Sequence, residues 1–281
     1  METTTGEIRL ASGRSLEWGK RTLIMGILNV TPDSFSDGGR FFDPDKAVDH
    51  ALQMVEEGAD IIDVGGASSR PNSVMVDEEE ELRRILPVVK RLGGKGLIIS
   101  VDTFRARVAE QALAQGADII NDIGGLAMDP QLPEVMGRWQ APLVIMHNRM
   151  QIKTGEPYDN LIADIITELQ HSIDRAVSAG LKREQIIIDP GLGFGKSLEQ
   201  NQYILKQLSA FRSLGRPILI GASRKSFIGK TLGLETEERL EGSLAALAIA
   251  IMNGADMVRV HDVKESKRVA VMTDAVRCAH G

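Results

Sequence analysis

Eight short apolar runs, separated by segments with helical patterns, constrain the fold of this chain more than any other feature of its sequence. A short apolar run bounded by turn residues is typical of a buried strand. Strands that alternate with helices over short connections form parallel βαβ units, and eight of them in 281 residues favour a (β/α)8 TIM barrel of the α/β class. The runs are Leu23–Leu28, Ile61–Val64, Leu97–Val101, Ile119–Ile123, Leu143–Met146, Ile186–Ile188, Ile218–Ile220 and Met257–Val260.

The segments between the runs carry the signals of helices. Asp43-Pro44 is typical of an N-cap with proline at the first helical position, and the acidic stretch 77–81 favours the positive end of the next helix dipole. The phrase Gly-Ala-Asp recurs at 58–60, 116–118 and 254–256, each time directly before an apolar run, which predicts one helix-to-strand turn used three times. Further helices are predicted over Leu161–Ala179, Ser197–Phe211, Glu237–Met252 and Lys264–Cys278.

No linker or shift of composition divides the chain, so residues 1–281 are predicted to form one domain. Residues 7–20 alternate apolar and polar side chains around Ser12-Gly13. This pattern predicts a β-hairpin that caps one end of a barrel starting at about residue 22.

The composition limits what the chain binds and where it works. With 33 Lys and Arg against 39 Asp and Glu, the net charge is −6, and the basic face that nucleic-acid binding requires is not expected. The sequence has neither an apolar run of 18 residues nor a secretory signal pattern, so we expect a cytoplasmic protein with no membrane partner. The single cysteine, Cys278, excludes an internal disulfide and is expected to be a small apolar filler in the last helix.

Polar side chains stand where the predicted strands end, at the rim where TIM barrels carry their chemistry. Any one of them has an ordinary alternative, since Asp and Asn also begin loops and cap helices, and a histidine such as His147 is often satisfied by a neighbouring loop. Polar side chains at all eight strand ends favour a functional site. They are Asn29, Asp63, Asp102, Asn121 with Asp122, His147, Asp189, Ser223 and His261.

Two glycine-rich loops partly match a nucleotide-binding P-loop, but both fail at the glycine that opens that motif. Pro190 stands at this position in the loop 189–197, and Arg224 stands there before Gly229-Lys230-Thr231. We therefore reject the NTPase interpretation. We expect the glycines of 191–195 to let the backbone approach a flat ligand closely.

Taken together, the loop and strand-end motifs resemble those of the dihydropteroate synthases, a pterin-binding TIM-barrel family of folate biosynthesis. The resemblance extends over nearly the whole chain and has eight motifs in the family's order. They are Gly26–Gly39 (loop 1), Asp63–Pro71 (loop 2), Ser100–Thr103, Asn121–Ile123, Met146-His147, Asp189–Lys196, Ser223–Phe227 and Arg259–His261.

The resemblance implies an activity and a set of partners. Enzymes of this family join (7,8-dihydropterin-6-yl)methyl diphosphate to p-aminobenzoate, releasing diphosphate and forming 7,8-dihydropteroate, with Mg2+ assisting. Sulfonamides compete with p-aminobenzoate, and the family is usually homodimeric. A small-molecule transferase of this kind is therefore the expected function.

Carried over position by position, the resemblance divides the site residues between the substrates. The pterin set is Asp102, Asn121, Asp189 and Lys225, with Met146, Phe194 and Gly221 as walls of the slot. A carboxylate such as Asp189 suits the adjacent N–H donors of a 2-aminopyrimidinone edge. The diphosphate end is Asn29, Arg70, Arg259 and His261, and Asn29 is the expected metal ligand. The hydroxyl of Ser69 is expected to contact either the diphosphate or the aminobenzoate.

The resemblance also implies how the reaction proceeds. Departure of diphosphate leaves a methylene cation that N5 of the pterin stabilises, so we expect an SN1-like displacement in which Asp102, and Asp37 of loop 1, favour the positive charge. Loops 1 and 2 should close over the intermediate to exclude water. Phe35 and Pro71 then enclose the aminobenzoate ring, whose carboxylate lies at the helix start near Ser226.

Two other functions share parts of this pattern. A pterin-binding methyltransferase domain has the same barrel and pocket, but it needs neither loop 1 nor the 223–227 motif, and both are intact here. A non-catalytic paralogue that binds pterin without condensing it is favoured only by loop 2, where the family's Glu, Thr and final Gly are replaced. The replacements are Ala67, Ser69 and Asn72.

Overall fold

The computed structural model describes residues 5–31, 43–66, 76–150 and 157–279. Eight parallel strands carry the fold, and each overlaps one of the predicted apolar runs. They are β3 (Leu23–Asn29), β4 (Ile61–Gly65), β5 (Ile99–Asp102), β6 (Ile119–Asp122), β7 (Leu143–Met146), β8 (Ile186–Asp189), β9 (Leu219–Ile220) and β10 (Met257–Val260), preceded by β1 (Gly6–Arg9) and β2 (Ser15–Trp18).

The strands form a ring. Their hydrogen-bonded order is β8-β7-β6-β5-β4-β3-β10-β9, and every pair in this sheet is parallel. A parallel bridge between Ile188 and Ile218 joins the two ends of that order. The predicted (β/α)8 barrel is confirmed.

Helices follow the strands and cover the outside of the ring. The N-cap at Asp43 is confirmed, since its side chain accepts a hydrogen bond from Asp45 N, and Asp77 caps the second helix by accepting from Glu80 N. The sequence analysis missed the short helix α4. The helices are α1 (Pro44–Glu56), α2 (Glu78–Gly93), α3 (Ala106–Ala114), α4 (Leu132–Trp139), α5 (Leu161–Ser178), α6 (Leu198–Lys206), α7 (Ser226–Leu232), α8 (Leu240–Met252) and α9 (Val263–Arg277).

The three Gly-Ala-Asp phrases adopt the same turn, as predicted. Their glycines have φ values of 108°, 104° and 105°, a conformation that disfavours other residues. In each turn the aspartate accepts a hydrogen bond from a backbone N–H at the start of a strand, as Asp118 does from Ile99 N at 3.1 Å. These turns fix the helix-to-strand end of the barrel, opposite the rim of the candidate site.

The hairpin β1–β2 closes that same end. Ile8, Leu16 and Trp18 are buried against the inward side chains of the barrel strands, such as Met25 and Met257. Across the hairpin's edge, the side chain of Gln185 donates to Arg9 O at 2.6 Å. The predicted cap is confirmed.

Two further observations bear on the composition. Cys278 is exposed at the end of α9, so the prediction that it fills the core was wrong: α9 turns this position outward and buries Ser266, Ala270 and Thr273. Within the described residues, no helix is long and apolar enough to cross a membrane.

Candidate active site

A cleft opens at the carboxyl ends of the barrel strands, and ten of the predicted site residues line it. They are Asn29, Asn121, Met146, Asp189, Phe194, Gly221, Lys225, Ser226, Arg259 and His261. Asp102 is not among the lining residues but contacts one of them, Arg259. The predicted loop residues Phe35, Asp37, Ser69, Arg70 and Pro71 lie outside the described residues.

Arg259 lies at the centre of a buried ion-pair network. From β10 it reaches across β3, with Nε donating to Asp63 Oδ2 at 2.6 Å and Nη2 donating to Asp102 Oδ2 at 2.7 Å. Burial raises the pKa of Asp102, and the guanidinium beside it opposes that rise. A guanidinium has five N–H donors, so Arg259 keeps donors for an anion in the cleft.

Asp63 also contacts the pterin side of the predicted site. Its Oδ2 accepts a hydrogen bond from Asn121 Nδ2 at 3.0 Å. The sequence analysis placed Asp63 among the strand-end residues but gave it no role. One carboxylate oxygen thus contacts both Asn121 and Arg259.

Asp189 and Lys225 face each other across the cleft floor. One oxygen of Asp189 accepts from Gly191 N at 2.7 Å, and burial raises the pKa of this carboxyl. A carboxylate oxygen has two lone pairs, so bidentate acceptance from a ligand stays open. Lys225 Nζ lies 4.2 Å from the centroid of the Phe194 ring, and its burial, with the nearby charge of Arg259, lowers its pKa to about 8.

The loop after β9 positions a histidine at the rim. Ser223 Oγ lies 3.0 Å from His261 Nδ1 and also accepts from His261 N at 3.3 Å. The next residue, Arg224, has a φ of 56° and pairs with Asp262 at 2.5 Å. Sequence reasoning missed this ion pair, which holds the loop that precedes Lys225.

His147 has the ordinary role that the sequence analysis left open. Its Nε2 lies 2.9 Å from Glu168 Oε2, and burial lowers its pKa to about 4, so the ring is neutral at pH 7. Arg149 donates to the other oxygen of Glu168 at 2.6 Å. This pair of contacts packs the end of β7 against α5, and His147 does not line the cleft.

The glycine loop 191–195 serves mainly the fold. Gly191, Gly193 and Gly195 have φ values of 71°, 89° and 71°, and a Cβ on Gly191 would lie 1.9 Å from His147 O. Only Gly193 lines the cleft, so the expected approach to a ligand applies to that residue alone. The buried amine of Lys196, which the sequence analysis did not single out, holds the loop by donating to Gly191 O at 2.7 Å.

Comparison with known proteins agrees with this geometry. A family model described as pterin binding enzyme matches residues 25–261. The dihydropteroate synthase of Clostridium beijerinckii is 50% identical over 260 residues, covering 92% of this chain and 95% of that protein.

Solved structures of dihydropteroate synthases superpose closely on this chain. A Xanthomonas albilineans dihydropteroate synthase with 4-aminobenzoic acid superposes with a TM-score of 0.91 at 40% identity, covering 99% of this chain and 100% of that one. A Yersinia pestis dihydropteroate synthase with a sulfonamide drug has a TM-score of 0.88 at 41% identity, with coverages of 99% and 100%.

Proposed function

Since the chain belongs to the pterin-binding enzyme family and, within it, to the dihydropteroate synthases, we propose how its residues share the reaction. The enzyme is a transferase of folate biosynthesis that joins (7,8-dihydropterin-6-yl)methyl diphosphate to p-aminobenzoate. The observation that carries the assignment is the cleft itself, in which Asn121, Asp189 and Lys225 meet Arg259. Acceptors for a heterocycle and donors for an anion therefore share one cavity.

The pterin ring binds deep in the cleft between Met146 and Phe194. Asp189 and the carbonyl oxygen of Asn121 accept from its amino edge, and Lys225 donates to the ring oxygen and N5. This assignment is supported by the burial of Asp189, which makes a hydrogen bond to its carboxylate stronger than it would be in water. Gly221 leaves room for the ring, because a Cβ there would meet only Arg259 Cβ, at 3.9 Å.

The diphosphate points to the opposite side, toward Arg259 and His261. Arg259 stabilises the departing anion with the N–H groups that Asp63 and Asp102 leave over, and His261 adds a further donor. We assign Arg70 and Ser69 of loop 2 as the remaining donors to the diphosphate. The cation left on the pterin is stabilised by its own N5, and we assign Asp102 and Asp37 as the carboxylates that favour its positive charge.

Mg2+ fits this site only together with the diphosphate. No group of three or more His, Cys, Asp or Glu side chains in the described ranges can hold a metal ion. Asn29 offers one amide oxygen at the cleft, and a hard cation that keeps most of its waters accepts such a ligand beside phosphate oxygens. When bound, the ion would neutralise charge on the leaving group.

The second substrate enters above the pterin. We assign its carboxylate to the start of α7 at Ser226, and Phe35 and Pro71 to the walls around its ring. The same position would accept sulfonamides, as the relative from Yersinia pestis does. Competition between a sulfonamide and p-aminobenzoate tests this assignment, because unchanged inhibition at saturating p-aminobenzoate would contradict it.

We also propose that the enzyme is a homodimer through α8 and α9. These helices pack side by side and expose Ile249, Met252, Val271, Met272 and Val276, of which Met272 is 65% exposed. An apolar face of this kind is typical of a subunit interface. Replacing Met272 by Lys should give a folded monomer in sedimentation experiments, whereas an unchanged mass would move the interface elsewhere.

The decisive test of the function is diphosphate release that depends on p-aminobenzoate. Replacing Asp189 by Asn should raise the KM for the pterin substrate by about tenfold or more, because one charged hydrogen bond is lost. Its thermal stability should stay near that of the parent chain, because the variant removes a buried charge. A pterin-binding methyltransferase or a non-catalytic paralogue would release no diphosphate in this assay.

A further inference from the structure

Asp63 is a fully buried acid beside the cleft, and the mechanism above gives it no task of its own. Its side chain is fully buried on β4, 2.6 Å from Arg259 Nε and 3.0 Å from Asn121 Nδ2. Both contacts are made by Oδ2, while Oδ1 has no hydrogen-bond partner among the described residues. A buried carboxylate with an unsatisfied oxygen destabilises the fold, which favours a role in the site.

The contact with Asn121 determines how that amide is turned. A carboxylate can only accept, so the atom of Asn121 that faces Asp63 must be the NH2 group. The carbonyl oxygen therefore points the other way. It receives no hydrogen bond in the described part of the chain, it is not among the fully buried atoms, and Asn121 lines the cleft.

We propose that Asp63 is a positioning residue that fixes the hydrogen-bond polarity of the cleft, so that Asn121 presents its carbonyl oxygen to the ligand as an acceptor. The proposal rests on the function assigned above and deepens it. An amide free to turn would serve donors and acceptors equally well. Held by Asp63, it selects a heterocycle that presents an N–H at this edge.

The rest of the cleft agrees with this division. Asn121 and Asp189 supply acceptors to the cleft, and Lys225 and Arg259 supply donors. Because the same Oδ2 of Asp63 also holds Arg259, one oxygen aligns the ring-binding side and the anion-binding side. A 2-amino-4-oxo heterocycle with an anionic tail has the matching order of donors and acceptors.

The test compares two probes that differ at one edge, 6-carboxypterin with its 2-amino group and 6-carboxylumazine with a 2-oxo group. Isothermal titration of the parent enzyme should favour the pterin. In Asp63→Leu, the preference should fall by about fivefold to tenfold, the worth of one neutral hydrogen bond. In Asp63→Asn, an amide oxygen can still accept from both partners, so the preference should be largely retained.

Two results would overturn the proposal. A folded Asp63→Leu variant with an unchanged preference would show that the amide needs no such restraint. A loss in Asp63→Asn as complete as in Asp63→Leu would show that the charge, and not hydrogen-bond acceptance, is what matters. Asp122→Asn is the matched control, because this neighbouring buried carboxylate bonds Gly124 N and Leu126 N and not the Asn121 amide.

A measurement on the parent chain decides the matter even if Asp63→Leu does not fold. By NMR, the side-chain NH2 protons of Asn121 should exchange with water far more slowly than those of Asn160, which is exposed. They should also keep their shifts when the pterin binds. Fast exchange at Asn121 would overturn the proposal, whereas a parent enzyme with no preference for pterin would instead contradict the assignment of the cleft.

Discussion

Aspartates stand at both ends of the barrel, and the two groups differ in how completely they are bonded. At the helix-to-strand end, Asp60, Asp118 and Asp256 each accept from a backbone N–H and pair with an arginine at 2.6 to 3.0 Å. At the cleft, Asp63 and Asp189 are buried but retain acceptor capacity. The fully bonded acids hold the fold, whereas Asp63 positions its neighbours and Asp189 faces the ligand.

The largest expected effect is at the cleft, in Arg259→Ala. The variant removes a charge-assisted contact to the leaving group worth about 1.5 to 3 kcal/mol, so kcat/KM should fall by roughly 10-fold to 150-fold. It also leaves Asp63 and Asp102 buried without their cation, which should lower the melting temperature. Steady-state kinetics with the diphosphate substrate and thermal unfolding measure both effects, and unchanged turnover would refute the assignment of this end.

At the opposite end, Asp118→Ala should show the reverse pattern. It removes the acceptor for Ile99 N and the partner of Arg14, so the free energy of unfolding should fall by about 1 to 3 kcal/mol. The kcat should not change, because Asp118 lies away from the cleft. Denaturant unfolding and kcat should be measured on the same preparation. A fall in kcat as well as in stability would contradict the distinction between the two ends.

The KM for the pterin substrate should depend on pH through Lys225, a residue of the cleft and not of the opposite end. Lys225 has its pKa lowered to about 8, so above that pH it becomes neutral and its attraction for the pterin oxygen weakens. The KM for the pterin substrate should therefore rise above pH 8, by at most about tenfold per pH unit. Lys225→Arg should move this limb to higher pH, whereas a pH profile identical to that of the parent would exclude Lys225 as its source.

Ser223→Ala should have the smallest effect. Its hydroxyl lies 3.0 Å from His261 Nδ1, where it fixes the orientation of the ring. Without it, kcat/KM should fall only a few-fold, about 0.5 to 1.5 kcal/mol. Ser223→Thr keeps the hydroxyl and should restore the parent rate, and a Thr variant as slow as the Ala variant would argue for packing alone.

Much of the fold could be predicted because it repeats a local pattern. The apolar runs and the Gly-Ala-Asp turns depend on neighbours within a few residues, so the sequence alone indicates them. Helix α4 was missed because it has eight residues and contains Pro133 and Gly137, which weaken a helical pattern. The burial of Cys278 was predicted wrongly because the direction it faces depends on the phase of α9 against the barrel.

The sequence could predict which residues belong to the candidate site, but not the hydrogen bonds and ion pairs between them. The rule that parallel strands end at one rim, together with the family motifs, indicated Asn121, Asp189 and Arg259. The contact between Arg259 and Asp63 joins residues 196 positions apart, and no local pattern indicates that distance. The role of Asp63 therefore emerged only from the three-dimensional arrangement.

The hairpin that seals one end of the barrel has a consequence for the order of events. With that end closed by Trp18 and its neighbours, the described residues leave the cleft at the opposite rim as the entrance for the substrates. The substrate that binds deepest in the cleft must therefore bind first, and its part of the product must leave last. The hairpin at the end of the barrel opposite the active site thus determines the order in which the substrates bind.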